Sequence, residues 1–224
     1  MSQTASCSVL MFHGVGEAGH PFEPLEETYW IGWDQFDAIL DLCADLPPER
    51  CWWTFDDGNT SDLEAARRMR AKGLGGSFFV LMGRIGTPGY LSHDEVRELR
   101  ALGMEVGLHG RNHVDWRSTD DRTLRSEVDE AREELADLLG EPVETVAIPY
   151  GLYDRRVWGH LERSSFRKIY TSDRGRARPG DRFVRREAVM RWHHRPEIEA
   201  ILSDRTSPVA RVRRAVMPRL KRLR

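Results

Sequence analysis

The chain has 224 residues, 40% of them hydrophobic and 31% charged, with a formal net charge of −2. This describes an ordinary globular chain with one sizeable core, and no apolar run is long enough to span a membrane. Three scattered cysteines (Cys7, Cys43 and Cys51) argue against a disulfide framework and suit a reducing compartment.

Residues 1–7 carry neither a basic region nor an apolar stretch of signal-peptide length, so the chain is expected to be cytoplasmic. The first strand-like run is Ser8 to Phe12, and His13 follows it where the chain turns. Trp33 to Cys43 has helical periodicity. Trp52 to Phe55 reads as a buried strand, with Trp52 and Trp53 on opposite faces. It ends in Asp56-Asp57-Gly58, two adjacent carboxylates at a strand exit. Such a pair is costly unless a cation, a shared proton or an arginine offsets it.

Asp62 to Lys72 reads as a helix stopped by Gly73, and Ser77 to Leu81 as a strand. Ser92 to Leu102 opens with a capping box, Ser92 with Glu95, and closes at Gly103. The strand Glu105 to Leu108 leads into His109-Gly110-Arg111-Asn112-His113, whose two imidazoles are spaced to meet one metal ion. Asp121 to Leu139 is the longest helical pattern and ends at Gly140. Thr145 to Ile148 is a third strand with a polar exit, Pro149-Tyr150-Gly151. A helix over Asp154 to Ser164 follows, then strands over Lys168 to Thr171 and Phe183 to Val189.

Strands alternating with helices imply parallel β/α units. The count suits a closed barrel or an open doubly wound sheet, and in both the site lies at the carboxyl ends of the strands. One carboxylate and two imidazoles with open positions suit catalytic Zn, and also Co, Mn, Fe or Ni.

The charge is divided unevenly, net −10 over residues 1–204 and +8 beyond them. In the tail, Val209, Val212, Val216, Leu220 and Leu223 recur at helical spacing. Residues 205–224 therefore read as a basic, amphipathic segment suited to an anionic membrane surface. Nucleic acid is not expected as a partner, because the acidic body repels it.

The motifs resemble those of the polysaccharide deacetylase family, the carbohydrate esterases that share the NodB homology domain. Thr54-Phe55-Asp56-Asp57-Gly58 resembles the family's first motif, and His109 to His113 its second, H-[S/T]-x-x-H. Ile148-Pro149-Tyr150-Gly151 resembles the back of the third, R-x-P-[Y/F]-G, and the similarity runs from Val9 to Met190. The resemblance implies an irregular (β/α) barrel of about seven parallel strands over residues 1–204. It implies a metal-dependent hydrolase that removes N-acetyl groups from sugars of a polysaccharide or a lipid-linked glycan. Asp57, His109 and His113 would hold the divalent ion, Asp56 would be the general base, and the Tyr150 backbone N–H would receive the oxyanion. A late histidine supplies the general acid in the family, and His193 is its nearest counterpart here. Pro149, Trp116 and His13 are the expected substrate contacts.

Two departures stand out. Ala147 replaces the third-motif arginine that braces the base, and Arg174 is the expected substitute. Gly110 replaces the second-motif serine or threonine. The same constellation also suits an O-acetyl esterase or a cyclic amidohydrolase. The departures alone would suit a non-catalytic, glycan-binding relative.

Overall fold

The computed structural model describes residues 6–203 and, beyond them, Val216, Pro218, Leu220, Lys221 and Arg222. Strand β1 (Ser8–Phe12) leads to helix α1 (Trp33–Ala44), then β2 (Cys51–Phe55), α2 (Ser61–Ala71) and β3 (Gly76–Val80). Next come α3 (His93–Ala101), β4 (Glu105–Leu108), α4 (Asp121–Arg125), α5 (Ala131–Leu139), β5 (Thr145–Ala147) and α6 (Arg155–Arg163). The order closes with β6 (Lys168–Thr171), β7 (Phe183–Arg185), β8 (Glu187–Ala188) and α7 (Arg195–Leu202).

Every pairing is parallel, in the order β7-β6-β5-β4-β3-β2-β1-β8. The two edge strands are halves of one segment, separated only by Arg186. The first half pairs with β6 and the second with β1, so the sheet wraps into a nearly closed barrel. The expected seventh strand is therefore present but divided.

Alternation along the strands sorts the core into two clusters. Leu10, Phe12, Trp53, Phe55, Phe78, Val80, Val146 and Ile169 join the large cluster under the helices. Val9, Phe79, Ala147, Tyr170 and Val184 form a smaller one on the opposite face of the sheet, which the barrel encloses. Trp52 packs with this second cluster and Trp53 with the first, on opposite faces as their adjacency requires.

The capping box of α3 is formed: the Glu95 carboxylate accepts from the Ser92 N–H (2.8 Å), and the Ser92 hydroxyl oxygen accepts from the Glu95 N–H (3.3 Å). The long helix expected over residues 121–139 is interrupted, because Ser126–Glu130 between α4 and α5 is a π-helical segment. Helix α7 was not legible as a periodic run. Glu197 caps its start by accepting from the His194 N–H (2.9 Å). Among the described residues, no helix is long and apolar enough to cross a membrane. Most of the expected basic segment over residues 205–224 lies outside the described residues. Of the part that is described, Lys221 Nζ donates to Asp173 Oδ1 (2.7 Å) and to the Gly151 carbonyl (3.1 Å). The Arg222 guanidinium lies 3.5 Å over the Trp158 ring.

Candidate active site

The exits of β2, β4 and β5 open on one cavity of about 350 Å³, lined among others by His13, Glu23, Tyr29, Asp56, Asp57, Arg84, His109, His113, Tyr150 and Arg174. Asp56 continues β2 and donates its N–H to the Phe12 carbonyl (3.0 Å), while His109 continues β4 and donates to the Val80 carbonyl (2.8 Å). Between them the chain turns sharply. Leu25, Asp57, His113 and Tyr150 are the described non-glycine residues with positive φ (71°, 80°, 55° and 55°), and all four line this cavity. Strain of this kind concentrates where surrounding structure holds a functional geometry in place.

The two carboxylates have unequal surroundings. Asp56 is 3% exposed and receives both arms of Arg186, Nη1 to Oδ1 (2.6 Å) and Nη2 to Oδ2 (2.8 Å). Burial raises the Asp56 pKa, but the Arg186 charge and fork, helped by His109, outweigh burial and hold it at about 2. Asp57 Oδ1 is buried and accepts no hydrogen bond. It lies 3.5 Å from His109 Nε2 and 3.5 Å from His113 Nε2. Burial, opposed by His13 and reinforced by the Asp56 charge, lifts Asp57 to about 6. Burial likewise lowers His109 to about 3 and pushes His113 down. Both imidazoles are thus kept neutral, the form that binds metal.

The Asp57, His109 and His113 ligand atoms lie within 4.8 Å of one another. An orphaned buried carboxylate oxygen facing two neutral imidazoles fits a divalent cation, since no group among the described residues hydrogen-bonds to it. Each imidazole is oriented from behind. His109 Nδ1 lies 3.0 Å from the Ala147 carbonyl, and His113 Nδ1 lies 3.2 Å from Glu23 Oε2. Both acceptors lack protons, so each ring carries its proton on Nδ1 and directs the Nε2 lone pair toward Asp57.

Several expectations need correction. Arg174 does not brace Asp56; its Nε lies 4.0 Å from the Glu187 carboxylate at the cavity wall. Arg186 does so instead, crossing the barrel interior near the Phe79 and Tyr170 rings, in the cluster that contains Ala147. Its signal was parity: Val184 and Arg186 share a strand face, and Val184 points inward. Trp116 is wholly buried (0%) in the core, so it offers no face to a sugar. His193 lies outside the cavity. Its turn closes on itself, His193 N–H to the Met190 carbonyl (2.8 Å), and Gln35 Nε2 holds both carbonyls (2.9 and 2.6 Å). Pro149 is buried and does not line the cavity, whereas Tyr150 and His13 do.

Glu127 was not anticipated. It is 2% exposed, and its carboxylate accepts from the Arg111 N–H (2.9 Å), the Asn112 N–H (3.1 Å) and Asn112 Nδ2 (2.9 Å). It thereby braces the His109–His113 loop from the π-helical segment. A Cβ on Gly110 (φ +91°) would come within 3.0 Å of Glu127 Oε2, which explains why a glycine stands where a hydroxyl residue was expected.

Residues 44–169, more than half of the chain, match the family model described as polysaccharide deacetylase. The fold is similar to that of the Streptococcus pyogenes deacetylase PplD in complex with acetate (19% identity, TM-score 0.75, covering 89% of this chain and 99% of that one). It is also similar to BC0361, a polysaccharide deacetylase from Bacillus cereus (18%, 0.76, 88% and 69%). IcaB from Ammonifex degensii is a third such structure (22%, 0.70, 88% and 96%). At these identities the structures bear on the fold alone. No curated protein matches. Family motifs, barrel and strand-end cavity coincide in one place, and the chain belongs to the polysaccharide deacetylase family.

Proposed function

We propose that this chain is a metal-dependent hydrolase that removes N-acetyl groups from sugars of a glycan or glycoconjugate. The observation that carries the reading is Asp57 Oδ1, buried, without a hydrogen bond, and 3.5 Å from each of two imidazole nitrogens. Asp57, His109 and His113 would hold the divalent ion, with zinc the best match to one carboxylate and two imidazoles. When bound, such an ion polarises a carbonyl and brings the pKa of water to about 7.

The remaining roles fall to the chain's own groups. Asp56, kept ionised by Arg186, takes the proton of the attacking water. Tyr150 supplies its backbone N–H to the oxygen on which charge develops. The amine that leaves needs a proton, and His13 is the one described imidazole lining the cavity besides the two ligands, although burial pushes its pKa down. His13 lines the cavity, and its Nδ1 is buried without a hydrogen-bond partner. A cavity of about 350 Å³ is at the small end for ligand sites and suits one sugar residue. The Arg186 brace counts against a non-catalytic relative, because it restores what Ala147 had removed.

The test is acetate release from N-acetylated sugar oligomers with added Zn²⁺ or Co²⁺, run beside an O-acetylated xylan. Release from the N-acetylated oligomers that is lost in Asp57→Ala and His109→Ala is the expected result. No release by wild type, or faster release from the ester, would overturn the reading.

A further inference from the structure

We infer that Glu23 is a positioning residue that fastens His113 and the Tyr150 turn into working geometry, a role that rests on the metal reading above. Three contacts converge on its carboxylate. Oε2 lies 3.2 Å from His113 Nδ1 and 3.2 Å from the Tyr150 hydroxyl, while Oε1 accepts from the Arg84 guanidinium. The Tyr150 hydroxyl is also 3.0 Å from the His113 carbonyl oxygen, and the two rings are 4.2 Å apart. One loop carboxylate thus joins the loops after β4 and β5.

The two imidazoles at the site are supported differently. His109 rests on a backbone carbonyl of β5, a neutral acceptor fixed in the sheet. His113 rests on a carboxylate from a loop 90 positions earlier in the chain. A carboxylate behind an imidazole fixes its tautomer and makes it a stronger ligand than a carbonyl does. Glu23 therefore sets both the direction and the strength of the His113 Nε2 lone pair. Arg84 balances its charge and turns Oε1 away from His113, so Glu23 supports the ligand set without joining it.

Strain gives a second reason for the contact. His113 and Tyr150 both have φ of 55°, and each needs neighbours that hold it there. Glu23 and the Tyr150 hydroxyl cross-link the two residues. The same loop lines the cavity through Pro24 and Leu25. The Glu23 side chain is 32% exposed, against 11% for His113, so the fastening lies on the solvent side of the site.

The test is metal affinity of the chelator-stripped full chain, titrated with Zn²⁺ against a chromophoric competitor and with Co²⁺ by its visible spectrum. Glu23→Gln keeps the shape and an acceptor oxygen but removes the charge, and is expected to weaken Zn²⁺ binding about 10-fold. Glu23→Ala removes the acceptor as well and is expected to cost up to about 100-fold, with a changed Co²⁺ spectrum. Circular dichroism of the metal-free variants checks folding, and Glu23→Gln carries the test if the alanine variant is unfolded. Unchanged affinity and spectrum in every folded Glu23 variant, in a protein whose wild type binds metal, would overturn the role of Glu23 alone. A wild type that binds no metal, with His109→Ala indistinguishable from it, would overturn the metal reading and this role together.

Discussion

At the scale of single residues, the decisive pair is Asp56 and Arg186, both buried and joined by two hydrogen bonds. Arg186 also donates from Nε to the Thr171 carbonyl (3.2 Å), so the guanidinium is held at both ends. A lysine ammonium cannot fork onto two oxygens, so Arg186→Lys is not conservative here. Arg186→Ala leaves a buried carboxylate without its counter-charge and is expected to destabilise by about 3–5 kcal/mol, part of which Asp56→Asn should restore in the double variant. Urea unfolding of the metal-free protein measures this. The acid limb gives an independent check. The folded Asp56 pKa is depressed to about 2. Its contribution is therefore complete above the unfolded value of about 3.9 and lost as pH falls toward 2. Wild type should lose roughly 2–3 kcal/mol more than Asp56→Asn across that window. Equal acid sensitivity in the two proteins would refute the assignment.

At the scale of elements, the His109–His113 loop depends on a helix that departs from regularity. Leu124, Val128, Ala131 and Leu135 form the buried stripe of α4, the π-helical segment and α5, and Glu127 falls on that stripe. An acid among apolar positions at helical spacing is a legible anomaly, but its target is not, because the pattern gives no distance to the loop. The π-helical turn shifts the register by one residue, as such turns do near functional sites. Glu127→Ala would take away the acceptor of the part-buried Arg111 and Asn112 N–H groups, a loss of about 1–3 kcal/mol. Gly110→Ser should also destabilise, because its Cβ meets Glu127 and its φ of +91° suits only glycine. Thermal melts of both variants, with Glu127→Gln as the milder change, test this. An unchanged melting temperature in Glu127→Ala would show that the loop holds itself.

At the scale of the whole molecule, what the sequence disclosed was local and what it hid was remote. The strand exits at Asp56, His109 and Tyr150 were readable because apolar runs end there within a few residues. The Arg186–Asp56 contact spans 130 positions and the Glu23–His113 contact 90, and no periodicity carries such separations. The first follows from the closure of the barrel, which brings the segment around Arg186 beside β1 and across from β2. The C-terminal segment makes a further remote return. Lys221 pairs with Asp173 and with the carbonyl of Gly151, next to Tyr150, and Tyr153 donates to the other oxygen of Asp173. Asp173 is 9% exposed, so its pairing with Lys221 is screened less by solvent than a surface pair. Lys221→Met keeps the apolar stem and removes the charge. It is expected to destabilise by about 1–3 kcal/mol and to lower kcat for acetate release. Metal affinity should stay unchanged, because Asp57 and both imidazoles make no contact with Lys221. Affinity and kcat falling together would mean that the segment supports the entire site. A fall in kcat alone would confine its action to the turn that carries Tyr150.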